Sequence, residues 1–147
     1  MGLSRFQIIL DEFCSELQIS KNVDASGVEF EADGHRVLIA LDPRDEERLF
    51  IGVSVMNLAE PSAALLMALH QLNFQSSFEH DWVVSVDAGY GLSMHTQKPL
   101  QACDAKALQA LMVEAIERAQ ALKNLCEAPG DEAQPGPTQD PAMFIRG

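Results

Sequence analysis

Apolar positions recur every three or four residues from Leu3 to Leu17. Leu3, Phe6, Leu10, Phe13 and Leu17 fall on one side of a helix, Ile9 widens the stripe, and Asp11, Glu12 and Glu16 lie elsewhere. Ser4 with Gln7 fits a capping box, and Leu3 with Ile8 a hydrophobic staple. Beyond this helix the period shortens to two. Val28 to Ala32 alternates, Asp33-Gly34 is a two-residue hairpin signal, and Arg36 to Leu41 returns as a second strand. The run from Asp42 to Glu47 reads as a charged turn that leads into a third strand, Arg48 to Asn57.

The next stretch breaks both periods. Pro61 suits a first helical position, Glu60 and Ser62 stand near the N–H groups that a helix start leaves open, and Ala63 to Leu69 contains no polar residue. A helix without a solvent face must be covered on both sides, by the chain's own sheet and by a second copy of the protein. A central core helix of a monomer is the plainer reading. Asp81 to Asp87 alternates as a fourth strand, Ala88-Gly89-Tyr90-Gly91 turns it, and Leu92 to Gln97 forms a fifth. Pro99 ends the sheet. Asp104 caps a last helix, whose Leu108, Leu111, Met112, Ala115, Ile116, Ala119, Leu122 and Leu125 share a face. The order helix, three strands, helix, two strands, helix predicts an α+β fold, with helices packed on a twisted antiparallel sheet.

Length and composition set bounds on this picture. With 147 residues and a hydrophobic fraction of 47%, one domain with its own core is expected over residues 1–126. From Glu127 the composition turns polar and proline-rich, so residues 127–147 read as an acidic disordered tail. Within that tail Met143-Phe144-Ile145 is an apolar cluster with no part in a solvating role. The start of the chain has no signal-peptide pattern, and no apolar run is long enough to span a membrane. Cys14, Cys103 and Cys126 are odd in number and scattered, which suits reduced thiols. A cytoplasmic protein is expected.

The net charge is −12, from 22 acids against 10 bases. Such a surface repels phosphate, so a nucleic-acid partner is not expected, nor is a membrane. It keeps a chain with apolar surface soluble and attracts basic partners over distance.

Catalytic chemistry is hard to find. His35, His70, His80 and His95 lack neighbours at zinc spacing, and the cysteines form no CxxC, so no metal, cofactor or catalytic residue is expected. His80-Asp81 has no nucleophile elbow beside it. Gly89-Tyr90-Gly91 joins two strands and opens no helix, so it is a turn and not a phosphate loop. Asp45-Glu46-Glu47 lacks EF-hand spacing. His70 differs, because it follows seven apolar residues on a helix expected to be covered. With Asn73 it either forms a polar stripe across a two-fold axis or marks where that helix reaches solvent.

The element order and the acidity, together with the Leu3-x-x-Phe6 helix, the Asp33-Gly34 hairpin, the Ala/Leu/Met helix and Gly89-Tyr90-Gly91-Leu92-Ser93, resemble the class I effector chaperones of type III secretion (the Tir-chaperone-like family). The likeness covers roughly Leu3 to Cys126. The proline-rich extension departs from it. The resemblance implies a homodimer that holds the extended N-terminal segment of one or more secreted effectors and presents it to the secretion ATPase or sorting components. A client of this kind adds a strand to a sheet edge and places alternate side chains in apolar grooves. The expected lining, between the first helix and the sheet, is Phe6, Ile9, Phe13, Phe30, Val37, Ile39 and Phe50. The expected dimer interface is Leu65, Leu66, Met67, Leu69, His70 and Leu72, with Trp82 and Val83 beside it. Two rival readings stand: a non-enzymatic adaptor or peptide-binding domain outside secretion, and a small enzyme using His80, Asp81 or His95.

Overall fold

The first helix, α1 (Gly2–Leu17), starts a turn before the expected capping box. Ser4 therefore lies inside the helix and not at its N-cap. The proposed staple needs the Leu3 side chain, which lies outside the described residues. Ile8, its intended partner, is 67% exposed. The structure is a computed structural model, and it describes residues 2–19, 27–58, 61–87 and 91–127, with side chains from Ser4 onward. The expectations that concern Glu60, the Ala88–Tyr90 turn and the tail from residue 128 fall outside that set.

Strands β1 (Gly27–Ala32), β2 (His35–Asp42) and β3 (Asp45–Met56) form a meander. Asp33 and Gly34 both take positive φ, 51° and 82°, as a two-residue hairpin of the primed type demands. The second turn is shorter than its charge suggested. Asp42 already pairs with Asp45, so Asp45-Glu46-Glu47 belongs to β3 and not to a loop. The Asp42 carboxylate holds this corner by accepting the Arg44 backbone N–H at 2.8 Å.

Helix α2 (Ala63–Ser76) is capped by Ser62, whose Oγ accepts the Leu65 N–H at 3.0 Å. Pro61 precedes the cap and is not the first helical residue. Strand β4 (Val83–Asp87) starts two residues later than its alternation implied, and β5 (Gly91–Pro99) runs longer. Gly91 opens β5 at φ 69°, where a Cβ would meet the Met56 carbonyl oxygen at 2.6 Å. A 3₁₀ turn, Leu100–Ala102, leads to α3 (Ala105–Glu127), where the Asp104 carboxylate accepts the Ala107 N–H at 2.7 Å as expected.

The strands form one antiparallel sheet in the order β1-β2-β3-β5-β4. Alternation sorts its two faces. His35, Val37, Ile39, Leu49, Ile51, Val53, Leu92 and Met94 turn inward and join Phe6, Phe13 and Leu108 in the core. Burying each large apolar side chain stabilises by about 1.5–3 kcal/mol, so α1 and α3 are held mainly by this face. Arg36, Leu38, Phe50, Gly52 and His95 occupy alternate positions and turn outward. The fold class is the expected α+β.

Candidate functional site

Two helices of similar apolar content meet different fates. In α1 the stripe Phe6, Ile9, Leu10 and Phe13 is buried, and Phe13 meets Phe30 with ring centroids 6.0 Å apart. In α2 only Leu69 is buried. Leu66 and Met67 are exposed, as are Phe74 at 70% and Phe78 at 78%. Phe74 and Phe78 touch edge to face at 5.6 Å, so together they form a raised aromatic pair. Val83 on β4 is also exposed. A row of apolar side chains this long is unusual on a finished surface.

The residues expected at the dimer interface therefore divide. Leu66, Met67, His70 and Val83 face solvent, Leu65 and Leu72 are half-buried, and Leu69 lies in the chain's own core. Trp82 is also core. It is 3% exposed, and its indole N–H donates to Glu114 Oε2 at 2.7 Å. Arg118 donates to the same oxygen at 3.0 Å. Burial would raise the Glu114 carboxyl, but the bonds from Arg118 and Trp82 outweigh it and hold that carboxyl below its ordinary range. Phe74 and Phe78 were missed because they lie past the uninterrupted apolar run. Their spacing of four, continuing from His70, was the available signal.

The expected client-binding residues divide as well. Phe6, Ile9, Phe13, Val37 and Ile39 are enclosed between α1 and the sheet, which the chain's own side chains fill. Phe30 is half-buried against this core. Phe50 lies on the opposite face, where its ring stacks on His95 at 5.4 Å and 24°. Burial beside that ring pushes the His95 imidazole below its usual value. Leu38, Phe50, Gly52 and His95 line an apolar hollow of about 220 Å³, with Arg36 on β2 and Asp87 on β4 at its rims.

The two sheet edges are unequal. Alternate residues of a strand turn their N–H and C=O to opposite sides. At β4 the outward groups of Val84 are already taken. The Asn73 side chain donates to the Val84 carbonyl and accepts the Val84 N–H, both at 2.7 Å. The Trp82 N–H donates to His80 Nδ1 at 3.1 Å. Among the described residues, strand β1 at the other end of the sheet has a neighbouring strand on one side only, and it carries Glu29 and Glu31 on its exposed face.

The residues of the enzyme reading have partners within the fold. His80 receives the Trp82 amide, and burial together with Arg118 lowers its imidazole. Asp81 accepts from Lys98 at 2.7 Å. Burial raises the thiols of Cys14, Cys103 and Cys126. No group of three metal-ligating side chains occurs among the described residues, and no helix among them is long and apolar enough to cross a membrane.

Known structures share this architecture. A chain in the HopA1–SchA chaperone–effector complex superposes with a TM-score of 0.69 at 14% identity, covering 84% of this chain and 97% of that one. One in the ExsC–ExsE complex gives 0.72 at 17% identity, covering 83% and 93%. The Yersinia pestis type III secretion chaperone SycH, in complex with a fragment of YscM2, gives 0.57 at 18% identity, covering 78% and 96%. No curated protein matches the sequence. A sequence model does match, across residues 8–123, and by that match the chain belongs to the Tir chaperone protein (CesT) family.

Proposed function

We propose that this protein is a cytoplasmic, non-enzymatic chaperone that holds an extended segment of a type III secreted effector, near the effector's N-terminus. The observation that carries this reading is the family match over residues 8–123. The chaperone–effector complexes among its structural relatives support it. Asn73 occupies the outward N–H and C=O of Val84 on β4, which favours β1 as the edge to which the client strand adds. There it lies beside Glu29 and Glu31, which favour basic residues at alternate positions, and it turns its other side chains toward Phe30.

The protein acts as a homodimer. Leu66, Met67, Phe74, Phe78 and Val83 meet their counterparts on a second copy, and the charge of −12 keeps the pair soluble. Contacts with the secretion ATPase or sorting components belong to the same reading. The domain ends with α3, and residues 128–147 extend from it.

Co-expression with the effector genes, followed by purification and limited proteolysis, tests this. One large partner protected only over a stretch near its N-terminus is the expected result. A clean dimer without such a partner points to an adaptor of the same fold. A loss of a measurable activity on His80→Ala would point to an enzyme.

A further inference from the structure

The turn between α2 and β4 carries Phe78, the most exposed large apolar side chain among the described residues. Backbone bonds hold the first half of this turn. The Phe78 N–H donates to the Gln75 carbonyl, and the Glu79 and His80 N–H groups both donate to the Ser76 carbonyl, at 2.8 and 2.9 Å. Side chains hold the second half. Asp81 accepts from Lys98 at 2.7 Å, and His80 Nδ1 accepts the Trp82 backbone N–H at 3.1 Å.

The bond to Trp82 fixes the protonation of the ring. A backbone N–H only donates, so Nδ1 must offer a lone pair, and the proton of a neutral imidazole then sits on Nε2. An imidazolium donates from both nitrogens and has no lone pair to offer. It would set N–H against N–H, and the bond would be lost. The surroundings act in the same direction on balance. Burial lowers the imidazole and Arg118 adds to this, while Glu79, Glu114 and Asp81 oppose it. Two of those three carboxylates are engaged, Glu114 by Arg118 and Asp81 by Lys98. Beside the ring lies a hollow of about 160 Å³, which His80 lines together with Leu72, Trp82, Met94 and Leu122. A turn that opens at His80 therefore admits water next to a tryptophan that is 3% exposed in the closed form.

We propose that His80 is a proton-operated latch: the neutral ring closes the turn from Ser77 to Trp82 by accepting the Trp82 N–H, and the imidazolium releases it. The released ring returns to the ordinary value of 6.5, and the closed ring holds a lower one. The closed turn thus keeps its full advantage above pH 6.5 and loses it as the pH falls below. Opening takes up one proton, so the open population grows by up to about ten-fold per pH unit across that window. The latch is a property of the fold and holds whether or not the protein serves a client.

Amide exchange at Trp82 of the full chain tests this, compared at each pH with His80→Asn so that the intrinsic exchange rate cancels. An asparagine side-chain oxygen bonds the backbone N–H two residues on, so this variant keeps the closure without a ring that titrates. Between about pH 7.5 and about pH 5.5, exchange at Trp82 relative to the variant should rise about three- to ten-fold. Protection at Trp82 should stay below that at Ile51 in β3, the mark of a local opening. A nitrogen NMR spectrum of the unaltered chain at neutral pH should show His80 protonated on Nε2 alone, and it gives an answer even if the variant fails to fold. A ratio that does not move with pH, a Trp82 amide that exchanges only together with Ile51, or a ring protonated on Nδ1 at neutral pH would overturn the proposal.

Discussion

Helices α1 and α2 are each rich in apolar residues, yet α1 is finished within the single chain and α2 is not. The difference lies in their polar residues. In α1, Asp11, Glu12 and Glu16 mark a solvent side, so the opposite stripe has one place to go, onto the sheet. In α2 the first two turns carry no charge and no polar side chain, so rotation about its axis cannot satisfy every residue at once. One face reaches Leu69 and the core, and the other leaves Leu66, Met67 and Phe74 in water. An apolar helix with a marked side belongs to the monomer. One without a marked side leaves apolar surface over.

Substitutions on the two helices should separate these roles. Phe13→Ala empties a fully enclosed site on α1 and should cost about 3–5 kcal/mol, read as a fall in the urea midpoint. Leu66→Asp on α2 puts a charge where a second copy would bury it. On the dimer reading it should weaken association at least 100-fold and leave a folded monomer, checked by light scattering and circular dichroism. A folded Leu66→Asp variant that remains dimeric would move the interface elsewhere. Asn73→Ala releases the Val84 N–H and C=O and should cost about 1–2 kcal/mol, since water replaces part of what is lost. Amide exchange at Val84 should quicken with it.

The smallest effect concerns pH. His80 and His95 both have folded values below the ordinary 6.5, so the folded state resists protonation more than the unfolded chain does. Their cost is absent well above pH 6.5 and grows as pH falls through that value toward the lower folded ones. Stability should therefore decline over this window, and His80→Gln with His95→Gln should flatten the decline in denaturant titrations.

Much of the architecture was legible because period and punctuation agreed. The switch from the α1 spacing to the Val28–Ala32 alternation, the Asp33-Gly34 turn and the Asp104 cap each carry a local signal that tertiary contacts reinforce. The places that misled were those where polar residues serve the chain itself. Asp45, Glu46 and Glu47 looked like a loop because charge resembles solvent, yet an antiparallel pair projecting past the core tolerates it. Ser4 looked like a cap because the motif was present, although the helix had already begun. The site was less legible than the fold. Alternation separates the two faces of a strand but does not say which face the helices cover, so Phe50 was grouped with Val37 and Ile39 while lying on the opposite side of the sheet. Trp82 and Val83 are neighbours in sequence and point in opposite directions for the same reason.

The pair of bonds between Asn73 and Val84 also bears on how large an assembly can grow. A sheet with two open ends can be lengthened at both, and copies that pair edge to edge then run on into fibres. Here a side-chain amide imitates the next strand at one residue of the β4 edge. A strand pairing at that end would first have to displace Asn73 from Val84, which biases growth by strand pairing toward the other end.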